Sequence, residues 1–316
     1  MSNCYVGIDL GGTNIAGGVA SEDGCLLRTA SAPTRSEEGP EAILARIAEL
    51  GAELAQGRLL GLGVGVPGLV DTASGVTKFL PNLPTQWRDV AAGEYLRSKL
   101  GCPVRLLNDC RTAALGELQF GAGRNYRDLA LFMIGTGIGG GVILDGQVRL
   151  GALGAAGELG HQTILPDGPL CGCGNRGCLE TLASGPAIAG EGVRLMRSGL
   201  APKLFELTAG NAEAVTPKSM AEAARLGDRA VEASIARIAG YLGIGVANVI
   251  VTVHPQLVVI GGGVAAMGDL LLEPLRRTVK DRVGMLPPET VAIEPSPLGD
   301  QSGIYGAVAL AMTARE

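Results

Sequence analysis

The chain has 316 residues with 47% hydrophobic content, enough to bury a substantial core and to favour two domains. Its formal net charge of −5 gives no basic footprint, which argues against nucleic acid and anionic membrane surfaces as partners. The apolar runs are short and broken by Gly, Pro or charge, none approaching the roughly 20 residues that span a bilayer, and no signal-peptide pattern precedes the first strand-like run, so the expected localisation is cytoplasmic.

In chain order, residues 5–27 (YVGIDLGGTNIAGGVASEDGCLL) read as an apolar run, a Gly-Thr turn, a second run, an Asp-Gly turn and a third run. That is a three-stranded meander. Residues 129–151 (LALFMIGTGIGGGVILDGQVRLG) repeat the pattern, with Thr136 nine residues before Asp145 where Thr13 stands ten before Asp23. The match predicts a duplicated domain. Between the copies the pattern predicts a helix over 41–56, a strand over 59–71 ending in a Pro-Gly turn, a helix over 89–100, a strand over 103–108 and a helix over 110–118. Helices over 181–198 and 219–252 follow, then a strand over 257–264, a helix near 268–283, the strand TVAIEP and a last helix over 303–314. Alternation of strand and helix predicts an α/β layer architecture. The expected division is a small α/β domain of 1–108 with 300–316 and a larger one of 109–299 that carries a Cys-rich loop, with hinges near Asn108–Asp109 and near 300.

That loop, GHQTILPDGPLCGCGNRGCLE, holds His161, Cys171, Cys173 and Cys178 within eighteen positions. One imidazole and three thiolates make a closed tetrahedral zinc shell, so the expected metal is structural Zn²⁺, with Gly172, Gly174 and Gly177 letting the backbone wrap. Cys4, Cys25, Cys102 and Cys110 stand singly and read as reduced thiols. The 50 glycines gather where strand-like runs end, as if backbone approached a ligand there. The turns DLGGTN (9–14) and GTGIGGG (135–141) offer clustered N–H groups and a Thr hydroxyl to phosphate oxygens, and GGGV (261–264) adds a third glycine run. Neither turn has the Lys of a P-loop or clearly opens a helix, which removes the P-loop and Rossmann readings.

Asp9 beside the first turn is suited to hold Mg²⁺ through water, or else to cap the turn. Asn108 and Asp109 stand where a strand gives way to a helix, where Asp is commonly an N-cap. Glu158 and Glu180 flank the Cys-rich loop and could pair with polyol hydroxyls. His254 reads as a packed or surface residue, and Trp87 as a packing residue beside a loop whose Asn82 could reach a ligand.

Taken in order, IDLGGTNIAGGV, GVPGLVD, LPNLP, LLNDCRTAALGE, IGTGIGGGVILDG, GELGH and CGCGNRGCLE resemble the ROK family of sugar kinases and sugar-responsive repressors, most of all its bacterial glucokinases, from residue 5 to about 312. The resemblance implies the α/β, actin-like and hexokinase-like (ribonuclease H-like) duplicated two-domain fold with a central cleft. It implies ATP-dependent phosphorylation of the glucose 6-hydroxyl, with Mg²⁺ and structural Zn²⁺, by a homodimer or homotetramer. Asp109 matches the general base, and Asn108, Glu158, His161 and Glu180 match positions that bind the hexose, with Gly68 and Asn82 lining the same pocket. Gly11, Gly12, Thr13, Gly135, Thr136 and Gly137 match the phosphate turns, and Gly262 and Gly263 the adenosine side. His161 would bind zinc through one ring nitrogen and offer the other to a sugar hydroxyl.

Kinases for N-acetylmannosamine, N-acetylglucosamine or fructose, and polyphosphate as donor, are the nearest alternatives, decided by pocket shape around the second sugar carbon. The family's repressors carry a helix-turn-helix domain ahead of the shared core, whereas four residues precede the first strand here, so DNA binding is not expected. A sugar-binding module without catalysis is disfavoured by Asn108-Asp109 and the two phosphate turns.

Overall fold

The computed structural model describes residues 3–313 apart from Gln56, Asn82 and Gln86, so the expected role of Asn82 lies outside the described residues. Alternating apolar residues and an Asp23-Gly24 turn produce β1 (Asn3–Leu10), β2 (Asn14–Ser21) and β3 (Leu26–Pro33), an antiparallel meander. They are followed by α1 (Pro40–Leu54), β4 (Arg58–Val66), β5 (Leu69–Asp71), β6 (Val76–Phe79), β7 (Arg88–Val90), α2 (Ala92–Leu100), β8 (Val104–Asn108) and α3 (Asp109–Phe120). β4 pairs parallel with β1, and β8 parallel with β4, giving the order β3-β2-β1-β4-β8, while β5, β6 and β7 form a small separate sheet. α1 buries Ile43, Leu44, Ile47 and Leu54 into a core that also takes in Trp87 at 2% exposure, the packing role expected of it.

The second copy runs β9 (Leu129–Ile134), β10 (Ile138–Leu144) and β11 (Gln147–Val148). Next come α4 (Leu179–Ala183), α5 (Gly185–Arg197), α6 (Pro202–Thr208), α7 (Pro217–Arg225) and α8 (Arg229–Val253), then β12 (Leu257–Gly261), α9 (Asp269–Arg282), β13 (Ala292–Pro295) and α10 (Ser302–Met312). Its sheet order is β11-β10-β9-β12-β13, with β9, β12 and β13 parallel. Both sheets therefore place a meander beside two parallel strands in the order 3-2-1-4-5. This is the duplicated ribonuclease H-like fold of actin and hexokinase.

Contacts group the chain into two compact units. The first extends through Arg127 and takes in Gly141–Gly157 and the chain from Asp300; the second comprises Asp128–Gly140 and Glu158–Gly299. The expected boundary falls at Asn108–Asp109, whereas α3 groups with the first unit. The reason is close packing: Gly116 on α3 meets Gly306 on α10 backbone to backbone, and a methyl group at either would overlap the facing helix. On its other side α10 rests on Gly7 of β1 and Gly63 of β4, again with no room for a side chain.

α8 is long and apolar enough by length and composition to cross a membrane, because no charge interrupts it beyond Arg237. More than half of its apolar stretch is buried within the second unit, where Val231, Ile235, Ile238, Leu242, Val246 and Ile250 line its inner face. That is the pattern of a core helix. His254 ends this helix at φ 44°, exposed, in the surface position expected of it.

Candidate active site

In the first unit the parallel registers Asp9↔Gly65 and Val66↔Asn108 bring the carboxyl ends of β1, β4 and β8 into one row. Asp9, Gly68, Asn108 and Asp109 follow from that row. This is the edge of an α/β sheet where ligands collect. Asn108, with extended backbone (φ −58°, ψ 143°), is the N-cap of α3: its Oδ1 accepts from Cys110 N at 3.1 Å and Arg111 N at 3.2 Å. Its Nδ2 donates to Gly68 O at 3.3 Å, fixing the Pro67-Gly68 turn. Asp109 is therefore the first helical residue and not the cap, although its Oδ1 also accepts from Cys110 N at 2.8 Å. With Asn108 satisfying the first turn, Asp109 keeps a carboxylate at the strand edge.

Asp9 is half-buried, and burial pushes its carboxyl up to about 7, with the negative charge of Asp109 adding to the rise. Among the described residues it accepts no bond from its own turn; its Oδ2 sits against Gly303 in the first turn of α10, where a methyl group would overlap it. The turn-capping alternative thus has no support. Burial also raises the Cys110 thiol well above the usual range, with Asp109 again contributing. Sequence reasoning missed Gly303 and Arg111. Arg111 is 2% exposed and donates from Nε to Ala156 O at 2.7 Å, anchoring the segment that leads to Glu158. A lone arginine inside the apolar stretch DCRTAAL was the available signal.

The two glycine turns share a hydrogen-bond plan. Gly11 N donates to Asn14 O at 3.0 Å and Gly135 N to Gly137 O at 2.9 Å, so the first glycine of each closes its own turn. The amides of Gly12 and Thr13, and of Thr136 and Gly137, have no partner among the described residues. Gly12, Thr13 and Thr136 are exposed. Two free N–H groups and a hydroxyl per turn form an oxyanion-binding nest. Thr34, fully buried, braces the first turn by donating from Oγ1 to Gly11 O at 2.7 Å and from N to Thr13 O at 2.8 Å.

In the second unit the register Gly261↔Met133 sets Gly262 and Gly263 beside the turn after β9. Gly262 (φ 82°) is required by packing, since a Cβ would overlap the backbone of Ile134, so its glycine identity does not call for a ligand. Gly263 faces open space. Glu180, in the first turn of α4, accepts from Ile138 N on Oε2 at 2.8 Å, and a Cβ at Gly137 would overlap that same oxygen. Its Oε1 lies 3.9 Å from Cys171 Sγ.

His161 Nδ1 is 3.6 Å from Cys171 Sγ, Cys173 Sγ is 3.7 Å from Cys178 Sγ, and the four ligand atoms all lie within 4.8 Å of one another. Bonds of about 2.3 Å to sulfur and about 2.0 Å to nitrogen give a tetrahedron with S–S edges of about 3.8 Å and S–N edges of about 3.5 Å. The donor set fits zinc. Burial pushes the Cys178 thiol up to about 12, while the backbone N–H of Asn175 lowers that of Cys173. Of the glycines expected to shape the loop, Gly174 (φ 91°) and Gly177 (φ 65°) hold left-handed backbone and Gly172 does not. The outer nitrogen of His161, Nε2, points away from the thiols to within 4.0 Å of Glu158 Oε2.

A model of the ROK family matches residues 5–314. The glucokinase of Thermotoga maritima is 39% identical over 309 residues, 96% of each chain. The xylose repressor of Caldicellulosiruptor bescii is 34% identical over 81% of this chain and 63% of its own. The crystal structure of a ROK family glucokinase from Streptomyces griseus in complex with glucose and AMPPNP superposes with a TM-score of 0.84 at 34% identity, covering 98% of this chain and 99% of that one.

Proposed function

The chain belongs to the ROK family, and from that footing we propose that it is a glucokinase, which transfers the γ-phosphoryl group of ATP to the 6-hydroxyl of glucose. The observation that carries this reading is the Asn108-Asp109 junction: the asparagine spends its oxygen on the helix cap, and the aspartate beside it stays at the strand edge as a base.

Asp109 accepts the 6-hydroxyl proton as that oxygen bonds to the γ-phosphorus and the bond to the β–γ bridging oxygen breaks. The free amides of Gly12, Thr13, Thr136 and Gly137 receive phosphate oxygens and neutralise the charge that develops on them. Glu158, Glu180 and the outer nitrogen of His161 take ring hydroxyls, and Asn108 holds the Gly68 turn in place. Asp9 would hold Mg²⁺ through water, and the ion would supply positive charge against the phosphates. Cys171, Cys173, Cys178 and His161 Nδ1 would hold a zinc ion that supplies rigidity, with no open coordination position for chemistry.

Coupled assays with glucose, mannose, fructose, N-acetylglucosamine and N-acetylmannosamine test the reading. Glucose is expected to give the highest kcat/KM, and Asp109→Asn to lower kcat roughly 10²- to 10⁴-fold with nucleotide affinity kept. Inactivity on glucose with turnover of an N-acetyl sugar would reassign the acceptor.

A further inference from the structure

The two phosphate turns differ in what holds them. In the first, a neutral and fully buried hydroxyl, Thr34, secures Gly11 and Thr13. In the second, the corresponding service comes from Gly185 N, which donates to Gly135 O at 2.8 Å, and from the Glu180 carboxylate, which accepts from Ile138 N at 2.8 Å. Glu180 lies 42 residues from Ile138 in sequence and belongs to the sugar-side segment. Gly137 shows that the contact is built in: any side chain there would drive Oε2 off the turn, whereas Gly135, two residues earlier, faces open space and has no such constraint.

We infer that Glu180 is a positioning residue for the nucleotide: its Oε2 braces the 135–138 turn, leaving Oε1 for the sugar, so the carboxylate that reads the sugar also sets the amides that receive phosphate. The inference rests on the kinase reading and adds a role for Glu180 that needs no sugar. A carboxylate near a phosphate site also repels phosphate, so charge and bracing act in opposite directions and can be separated. Glutamine keeps an oxygen able to accept from Ile138 N and removes the charge; alanine removes both.

The test is calorimetric titration of the sugar-free protein with Mg-AMPPNP. Glu180→Ala is expected to weaken nucleotide binding about tenfold, the effect of losing one charge-assisted hydrogen bond. Glu180→Gln is expected to bind as tightly as the natural protein or tighter. Glu206→Ala, which removes an exposed carboxylate on α6 outside every site, is expected to leave sugar-free nucleotide affinity unchanged. Thermal melts of all three confirm that each is folded. Should Glu180→Ala bind nucleotide as well as the natural protein, or should Glu180→Gln fall with it, the bracing role is refuted. If the natural protein itself binds no nucleotide, the kinase reading fails instead.

Discussion

The raised carboxyl of Asp9 makes a measurable demand on stability. A carboxylic acid that titrates near 7 when folded and at 3.8 when unfolded stays protonated in the native state while the unfolded chain has already lost its proton. The folded protein therefore loses stability as pH rises from about 4 through about 7, and the loss is complete above the folded value. Each pH unit between the two values is about 1.36 kcal/mol, so the whole interval amounts to about 4 kcal/mol. Asp9→Asn cannot ionise and should abolish this slope, leaving a variant more stable than the natural protein at pH 8 and similar to it at pH 4. Urea unfolding at pH 4.5, 6, 7 and 8 measures it, with fluorescence of Trp87 as the probe. Trp87 is the only tryptophan and sits buried in the same unit as Asp9. Parallel pH profiles for Asp9→Asn and the natural protein would refute the reasoning.

On the acid side the sign reverses at Glu191, which Arg194 and Arg237 hold at about 2, well below its ordinary 4.5. Its contribution is present above about 4.5 and disappears as pH falls through 2; because both arginines are more than half exposed, Glu191→Gln should cost only about 1–2 kcal/mol at pH 7 by denaturant titration and nothing at pH 2. Gly177→Ala would force left-handed backbone on alanine and drive its methyl group into Leu165 O. It should cost about 2 kcal/mol, lower Tm by about 5 °C and reduce the zinc content per chain in elemental analysis; a variant with full zinc and an unchanged melt would contradict the packing argument. Chelation of the natural protein should likewise loosen residues 161–178, read as faster amide exchange confined to that loop.

The strand-turn-strand plan of both copies was legible because period-two apolar residues and Asp-Gly turns are local signals. The parallel additions were legible as buried apolar runs, and the grouping of His161, Cys171, Cys173 and Cys178 as a rare cluster of soft donors. Several features were not. α6 is seven residues long, and Leu204 N near its start is satisfied by Asp228, twenty-four residues downstream. β6 and β7 have four and three residues, too short to show a period, and exist only through pairing with each other and β5. The choice between Asn108 and Asp109 as cap turned on one residue of helix boundary, which propensity does not resolve. Gly137 and Gly262 read as nucleotide-binding glycines in sequence, the first on a phosphate turn and the second on the adenosine side, yet a carboxylate from α4 and the backbone of β9 are what require them. No window of sequence contains both partners.

The packing of α10 also dictates a timetable for synthesis. β1, β4 and α3 present glycines to a helix that leaves the ribosome almost two hundred residues after the aspartate it helps to position, while residues 158–299 emerge as one uninterrupted stretch. A growing chain can thus assemble most of its later half before its earlier half has anything to close upon. A nascent polypeptide halted short of residue 302 would hold the His161–Cys178 loop in place and leave Asp109 unseated.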